Sequence, residues 1–424
     1  MEEIIMRWKL MMLLLPALLA LGACSSSSDA DVSSSSQSVA ATTAATTAAA
    51  ATEAAEPFKL GLILVGPRDD RGYSQAHFEG GTYAIEKLGG ELIVVDKVNP
   101  ADSPNITIPQ IVDDMIAQGA HLIIATSDDM KDGILEAAAA HPDMPMIHAS
   151  GDSAWAAGKA HHPELPMLGN FFAQMEYGKM IAGCAAALQS DAGKISYLGP
   201  LINDETRRLV SSTYLGAQHC WTEVLGNSAS DLSFNVNWIG FWFNIPGFTL
   251  DPTVVANDFF ASGTDVIISG IDTTEAIVEA GKKASAGDKV WAIPYDYEGA
   301  CAEAPAACLG VPYFNWGPTY LKNAQSVIDG EFSASFDWVG PDWNDINNHD
   351  TSTIGFLKGD GLTSANAEKL DDFIAALGDG SLNLWTGPLN FQDGSSFLAD
   401  GVAATDLQIW YMPSLLEGMD GPAE

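Results

Sequence analysis

Apolar segments alternate with helical patterns along most of the chain. An apolar strand is predicted over 58–65, and a helical pattern follows over 74–88. The same reasoning predicts further strands over 91–98, 121–125, 146–148, 167–170, 194–198, 234–238, 265–270 and 290–293. Helices are predicted over 106–118, 130–141, 173–189, 204–225, 252–262 and 274–281. This alternation is typical of parallel sheets that helices cover on both faces, so the fold class is α/β.

The number of strand–helix units exceeds what one core holds comfortably, which indicates two lobes. We place lobe 1 over 58–190 and lobe 2 over 191–330. The last segment, 331–424, contains a helical pattern over 364–377 and a hairpin pattern over 389–401. We expect this crossover and C-terminal segment to return to lobe 1.

The N-terminal segment has the pattern of an export signal. Arg7 and Lys9 precede an apolar run over 10–21, which is too short to span a membrane. The run ends in Leu21-Gly22-Ala23-Cys24, the lipobox pattern of bacterial lipoproteins. The sequence therefore predicts a lipoprotein signal peptide over 1–23 and lipidation of Cys24, which places the protein on the extracytoplasmic face of the cell membrane. The alternative is an ordinary secretory signal followed by a chance cysteine.

Residues 24–57 consist largely of Ser, Ala and Thr, and after Cys24 they carry no apolar side chain larger than Val. Such a composition cannot bury a core, so this segment is predicted to be a flexible tether. The tether would hold a folded domain away from the membrane.

The charge balance excludes nucleic acid as a partner. The chain of 424 residues has 55 acidic and 19 basic side chains, a formal net charge of −36. Affinity for nucleic acid depends on Lys and Arg contacts with phosphates, and a field of this sign repels a polyanion. The same field opposes binding to an anionic membrane surface unless acyl chains supply the attachment.

Candidate binding residues follow the predicted strands, because parallel α/β sheets bind ligands at the carboxyl ends of their strands. The candidates are Asp69, Asp70, Tyr73, Ser74, Ser127, Asp128, Trp242, Asp272, Thr273, Asp296, Asn315 and Trp316. This set is rich in carboxylates and aromatic rings and suits a flat heterocycle that carries hydrogen-bond donors. Tyr73 would face Trp242 or Trp316 across the ring, while Asp128 and Asp296 accept hydrogen bonds. The alternative is that the carboxylates cap helices and the tryptophans fill the cores.

Several of these residues belong to motifs that resemble the basic membrane protein family, the substrate-binding lipoproteins of ABC transporters related to PnrA-like purine nucleoside receptors. The motifs are Val65-Gly66-Pro67, Asp69-Asp70-Arg71-Gly72-Tyr73-Ser74, His77, Gly169-Asn170-Phe171, Glu176-Tyr177-Gly178, Ile181-Ala182-Gly183, Gly263-Thr264-Asp265-Val266-Ile267, Tyr295-Asp296 and Gly387-Pro388-Leu389. Each motif alone is weak, but their order and spacing together are specific.

The resemblance implies a two-lobe type I periplasmic-binding fold that binds a small ligand in its interlobe cleft and delivers it to ABC permease subunits. The first expected ligand is a purine nucleoside or nucleobase; the alternatives are an amino acid, a sugar or an autoinducer-like compound. A ligand-sensing receptor is the alternative role, because one fold serves both. We expect a monomer that contacts the membrane only through its anchor. The chain departs from the PnrA-like pattern at Tyr73-Ser74, where Phe-Asn is common, and at Asn315-Trp316, where a lysine is common.

The sequence carries no enzyme fingerprint. The G-x-S-x-G, H-E-x-x-H, G-x-x-x-x-G-K-[ST] and G-x-G-x-x-G patterns are all absent. His161-His162 is the only adjacent histidine pair and lacks a spaced third ligand. We therefore expect a binding protein with no catalytic residues, no cofactor and no metal site.

Besides Cys24, the chain has four cysteines, and an exported protein meets an oxidising compartment. Cys301 and Cys308 lie seven positions apart in a segment rich in Ala and Pro, and we predict a disulfide between them. Cys184 and Cys220 lie in predicted helices, where they either form a second bridge or remain buried thiols.

The leader and tether patterns generate a first prediction. A chain that begins at Pro57 should fold, because the residues before it contribute no core. In the full-length protein, Cys24→Ser should release the folded domain from the membrane fraction. Circular dichroism of the shortened chain and membrane fractionation of the variant test both points. Failure of the shortened chain to fold would contradict the tether assignment.

Overall fold

The computed structural model of the chain describes residues 56–424. The predicted leader 1–23, Cys24 and nearly all of the predicted tether 24–57 lie outside the described residues. Within 56–424, no helix combines the length and the apolar character that a membrane crossing requires.

The strands and helices follow the predicted alternation closely. The strands are β1 Lys59–Ile63, β2 Glu91–Val95, β3 Leu122–Ala125, β4 Met146–Ala149, β5 Leu168–Ala173, β6 Lys194–Gly199, β7 Ser233–Trp238, β8 Val266–Ser269, β9 Trp291–Ile293, β10 Gly310–Phe314, β11 Phe336–Val339, β12 Ile354–Lys358, β13 Leu389–Asn390, β14 Ser396–Leu398 and β15 Met419–Asp420. The α-helices are α1 Tyr73–Leu88, α2 Ile108–Ala117, α3 Lys131–Ala140, α4 Met175–Gln189, α5 Asp204–His219, α6 Pro252–Ala261, α7 Glu275–Ser285, α8 Gly317–Ile328, α9 Ser364–Gly378 and α10 Asp406–Trp410.

The first sheet is six-stranded, in the order β11-β5-β4-β3-β1-β2, and all its strand pairs are parallel. Its central strands are apolar and buried, as in β3, where Leu122, Ile123, Ile124 and Ala125 are all inaccessible to solvent. Uninterrupted apolar strands of this kind are expected where helices cover both faces of a parallel sheet.

The second sheet is five-stranded, in the order β15-β7-β6-β8-β9, and is also parallel throughout. In both sheets the chain order reverses direction next to the first strand of the lobe, at β1 in one and at β6 in the other. Loops on either side of such a reversal diverge and leave a crevice at the carboxyl ends of the strands.

The chain passes between the two sheets more than once. Helix α4 follows β5 of the first sheet but packs in the second core. Antiparallel strands β10 and β12 lie between the lobes, and α8 packs against α1 in the first core. The helix predicted over 173–189 therefore contributes to the second core, although it precedes the boundary placed at residue 190.

The expectation that residues 331–424 return to lobe 1 needs correction. Strand β11 does join the first sheet beside β5. However, Leu370, Phe373 and Leu377 of α9 pack in the second core against α4, and β15 adds an edge strand to the second sheet. The apolar face of α9 predicts burial, but its sequence does not indicate which core it covers.

Helices α4 and α5 approach each other closely at two glycines. A Cβ atom at Gly183 would overlap the carbonyl oxygen of Thr213, and one at Gly216 would overlap that of Met180. Because no side chain separates the two backbones, the helices form a rigid pair at the centre of the second core. This pair fixes the N-terminal turn of α5, which faces the cleft between the lobes.

Two disulfides are present among the described residues. One joins Cys301 to Cys308, and the other joins Cys184 on α4 to Cys220, which follows α5. The second bridge ties together the two helices that already meet at Gly183 and Gly216.

We predict that both bridges are found in the isolated protein. Alkylation of native, unreduced protein followed by peptide mapping should leave all four cysteines unlabelled, whereas a reduced and denatured sample should label each of them. Loss of the Cys301–Cys308 bridge should lower the free energy of unfolding by roughly 2 to 3 kcal/mol, because a short loop constrains the unfolded chain only modestly. Free labelling of Cys301 and Cys308 in the native protein would contradict the assignment.

Candidate functional site

A cleft lies where the carboxyl ends of the two sheets face each other. In the closed arrangement its enclosed interior is small, about 20 Å³, and the surrounding space amounts to about 450 Å³ when open solvent is included. Residues that follow β1, β3 and β4 line it from lobe 1, and residues in β6 or after β6, β7, β8 and β9 line it from lobe 2. The lining residues are Tyr73, Ser127, Asp128, Ser150, Tyr197, Glu205, Thr206, Leu209, Trp242, Gly270, Asp272, Tyr295 and Asp296.

Four aromatic side chains form most of the walls of the cleft. Tyr73 begins α1, and its hydroxyl donates a hydrogen bond of 2.7 Å to the carbonyl oxygen of Thr126. Tyr197 lies within β6, Tyr295 follows β9, and Trp242 follows β7. The three tyrosines are buried. Flat apolar faces held in fixed positions are suited to stacking against a planar ligand.

Four carboxylates also converge on the cleft: Asp128, Glu205, Asp272 and Asp296. Asp296 is 0% exposed, and neither of its carboxylate oxygens has a hydrogen-bond partner among the described residues. Burial raises the pKa of Asp296 well above its ordinary value, and it raises the pKa of Asp272 in the same way, with Asp296 adding to the effect on Asp272. Buried acceptors without partners are rare and point to a missing donor.

One cation lies close to these acids, but it is behind the wall of the cleft. The ammonium of Lys179, on α4, lies 3.0 Å from the centroid of the Tyr295 ring and donates a 2.8 Å hydrogen bond to the carbonyl oxygen of Ser269. Burial lowers the pKa of Lys179 well below its ordinary value, while the charge of Asp296 opposes that shift. Lys179 thus holds the Tyr295 ring from behind and offsets part of the charge on Asp296.

Two residues of the cleft have strained backbones. Ser150 has φ 67° and Asp296 has φ 71°, in the left-handed region that residues with a Cβ seldom adopt. Such strain persists only where the surrounding structure holds it, and it is concentrated at binding and catalytic sites.

The lobes are closed over the cleft in this structure. The indole Nε1 of Trp242 donates to Asp129 Oδ2 at 3.0 Å, and Asn203 Nδ2 donates to Asp128 Oδ2 at 3.5 Å. Both contacts join lobe 2 to lobe 1.

Two more contacts join the lobes. Arg71 and Glu303 form an ion pair between the lobes, and Glu303 lies within the loop that the Cys301–Cys308 bridge closes. Next to Arg71, the backbone of Gly72 lies against that of Asp272 so closely that a Cβ at Gly72 would overlap the Asp272 carbonyl oxygen. Glycine is therefore required at this point of contact between the lobes.

The structure brings together six of the twelve predicted ligand-binding residues. Tyr73, Ser127, Asp128, Trp242, Asp272 and Asp296 all line the cleft. Their role in binding stays a prediction.

Asp69, Asp70 and Ser74 lie outside the cleft. Asp69 is exposed, whereas Asp70 accepts hydrogen bonds from the backbone N–H groups of Gly72, Ser74 and Gln75 at 2.8 to 3.0 Å. Burial raises the pKa of Asp70 to about 6, although those hydrogen bonds oppose the shift. The Ser74 hydroxyl accepts a hydrogen bond from the N–H of Gly66. Asp70 and Ser74 therefore accept hydrogen bonds from backbone N–H groups around the start of α1. This is the capping role that the sequence analysis gave as the alternative to ligand binding.

Asn315, Trp316 and Thr273 also lie outside the lining of the cleft. Trp316 is 1% exposed and stacks on His77 in the first core, with 4.5 Å between ring centroids. Asn315 donates hydrogen bonds to the carbonyl oxygens of His349 and Ser352, and Thr273 does not reach the lining. Trp316 is therefore a core residue, and the aromatic partner that remains for Tyr73 is Trp242.

Several lining residues were absent from the predicted set. Glu205, Thr206 and Leu209 lie in the first turns of α5, after β6, where the carboxyl-end rule should also have been applied. Tyr197 and Ser150 were missed for different reasons. Tyr197 is inside a strand that the pattern marks as core, and Ser150 is a small polar residue with no distinguishing neighbours.

No family model matches the chain. The chain is 27% identical over 370 residues to a purine-binding protein of Brucella abortus (strain 2308), an alignment that covers 87% of this chain and 94% of that protein. Its fold is similar to that of an ABC transporter solute-binding protein from Aeropyrum pernix K1, with a TM-score of 0.61, 12% identity, and coverage of 85% of this chain and 100% of the other. The chain has the type I periplasmic-binding fold.

A second solved structure supports that assignment. An ABC transporter solute-binding protein from Conexibacter woesei DSM 14684 aligns with a TM-score of 0.55 and 17% identity, covering 77% of this chain and 98% of the other. The predicted fold class and the predicted resemblance to substrate-binding proteins of ABC transporters are confirmed. These relatives are binding proteins and not enzymes.

The acidic cleft generates a prediction about pH. Burial raises the pKa of Glu205 to about 7, with Arg208 opposing the shift and Asp128 and Glu176 adding to it. A carboxyl whose pKa is raised in the folded state binds its proton more tightly there than in the unfolded chain. Its contribution to stability is therefore lost as the pH rises through about 7.

The free energy of unfolding should differ between about pH 5 and about pH 8, and we expect Glu205→Gln to make this difference smaller by roughly 1 kcal/mol. The figure already allows for solvent screening of the Glu205 charge. Urea unfolding of the empty protein at both pH values measures it. The control is Glu136→Gln, at an exposed position on α3. An equal effect of the two variants would contradict the assigned environment of Glu205.

Proposed function

We propose that this protein is a lipid-anchored, extracytoplasmic solute-binding protein that captures a purine nucleoside or nucleobase and delivers it to an ABC permease. Support for the ligand class comes from two sources. The relative in Brucella abortus is a purine-binding protein, and the cleft combines aromatic faces with hydrogen-bond acceptors. Support for the anchor comes from the lipobox at Cys24 and the tether that follows it.

The observation that carries the proposal is the unpartnered carboxylate of Asp296. Both of its oxygens are buried and without a donor among the described residues, and Asp296 belongs to the lining of the cleft. A purine presents N–H donors at its edge, and a ribose presents neighbouring hydroxyls. Either group would supply charge-assisted hydrogen bonds, each contributing about 1.5 to 3 kcal/mol.

The walls of the cleft suit a flat ring. Tyr73 approaches from lobe 1, and Trp242 and Tyr295 approach from lobe 2. A ring stacked on such faces gains about 0.5 to 1.5 kcal/mol per aromatic pair beyond the burial of its area. Because the faces belong to different lobes, a stacked ligand would also stabilise closure.

The cleft is less suited to an amino acid. Its lining contains no Lys or Arg side chain, so the carboxylate of an amino acid would enter an acidic site without a cationic partner. A heterocycle without an anionic group therefore has the advantage over this alternative ligand.

Closure gives the proposed transport role a mechanism. Contacts such as Trp242–Asp129 and Arg71–Glu303 form only when the lobes meet. A permease that recognises the closed surface would therefore select the loaded protein. The tether would let the anchored protein reach the permease.

We predict that Asp296→Ala and Asp296→Asn weaken ligand binding by roughly 2 kcal/mol or more, because each removes a charged acceptor that the ligand satisfies. The melting temperature of the empty protein should not fall, since the native protein loses no hydrogen bond at this position. Isothermal titration with purines, pyrimidines, amino acids and sugars measures the first effect. The control is Asp69→Asn, an exposed carboxyl outside the cleft.

Two results would count against the proposal. Binding of amino acids or sugars alone would exclude a purine ligand. Normal binding by an Asp296→Ala protein that melts early would show that Asp296 has a structural role instead.

A further inference from the structure

We propose that the ligand of this cleft is an organic cation. The proposal rests on the proposed function, because it assumes that the cleft is the binding site, and it narrows the class of ligand that enters. Within the purines it favours ring systems that carry a fixed positive charge, such as N-methylated purine nucleosides.

The first argument is the balance of charge around the site. Four carboxylates, Asp128, Glu205, Asp272 and Asp296, line the cleft, and no Lys or Arg side chain does. Lys179 is the cation that acts on Asp296, but its ammonium lies over the Tyr295 ring and is not part of the lining. A neutral ligand would therefore leave the two buried acids, Asp272 and Asp296, either protonated or without a positive charge beside them in the cleft.

The cations of the adjoining depression offset only part of this charge, through the action of Arg208 on Glu205. That depression shares Asp128, Ser150 and Glu205 with the cleft. Its Arg207 pairs with Asp204, and its Arg208 pairs with Glu176 at 2.7 Å. Lys131 also lies there, outside the lining of the cleft.

The second argument is the unpartnered side chain of Asp296, which is independent of the count of acids. Its carboxylate is 0% exposed and its two oxygens lack partners among the described residues. A buried carboxyl without a partner retains its proton in the empty protein, and a cationic ligand next to it takes the place of that proton and stabilises the carboxylate.

The third argument is the composition of the walls. Tyr73, Tyr197, Tyr295 and Trp242 surround the same space as the carboxylates. Electron-rich faces of Tyr and Trp attract organic cations, and the attraction is strongest where water is excluded. Aromatic rings and carboxylates together thus favour a charged ring or an alkylammonium group over a neutral one.

The arrangement does not suit a metal ion. Within 56–424, no group of three or more His, Cys, Asp or Glu side chains has positions that would hold one. A cation in this cleft must therefore be large enough to touch acids that lie apart from one another, which an organic molecule does.

The test compares ligands that differ in charge but scarcely in shape. Purified full-length protein is titrated calorimetrically with adenosine and 1-methyladenosine, and then with guanosine and 7-methylguanosine. Choline serves as a cation without a purine ring. We expect the cationic member of each pair to bind about tenfold more tightly than its neutral parent. Asp272→Asn should remove most of that preference, whereas Asp69→Asn should keep it.

Each outcome decides between the two proposals. Equal or tighter binding of the neutral parents would overturn the cation proposal and leave the purine proposal in place. Binding of choline without any nucleoside would support the cation proposal and exclude the purine. If the folded protein, checked by circular dichroism, binds none of the three cations, the cation proposal is wrong.

Discussion

The burial of unpaired carboxylates between two closed lobes is the constraint on which the site depends. Asp272 and Asp296 are removed from water at the meeting point of the lobes, and within residues 56–424 Lys179, whose ammonium lies over the Tyr295 ring, is the cation that offsets the charge of Asp296. Such an arrangement opposes closure of the empty protein, since each acid must either retain a proton or remain buried as an unpaired charge. A ligand that supplies donors or positive charge removes this penalty, so occupancy and closure become one event.

The rest of the fold keeps this unfavourable site in place. Each lobe has its own parallel sheet and apolar core, and these cores extend to the cleft through Tyr73 and Tyr295 in the first and Tyr197 in the second. The glycine contacts between α4 and α5 and the Cys184–Cys220 bridge hold both helices rigidly. One of them carries Lys179 and the other carries Glu205, so the charges on the lobe 2 side of the cleft have fixed positions.

Most of the fold could be predicted from the sequence because apolar strands and amphipathic helices have distinct periods. The core in which α9 packs could not be predicted, since an apolar face indicates that a helix is buried but not which partner covers it. In the site, the carboxyl-end rule found Asp272 and Asp296, but it could not separate a ligand-facing acid from one that caps a helix, as Asp70 does. Trp316 was misplaced for a similar reason, because core packing and ligand stacking favour the same residue type.

The contacts that close the lobes are distributed so that the ligand alone need not hold them. Arg71 of lobe 1 reaches Glu303, and Trp242 of lobe 2 reaches Asp129. Ion pairs and hydrogen bonds at such exposed positions are weak. Weak contacts of this kind add little to the free energy of closure, so the interactions made in the cleft decide it. A ligand that supplies donors or positive charge to the buried acids would favour the closed state, and its loss would remove that advantage. Under the proposed function, release of the cargo to a permease requires this balance.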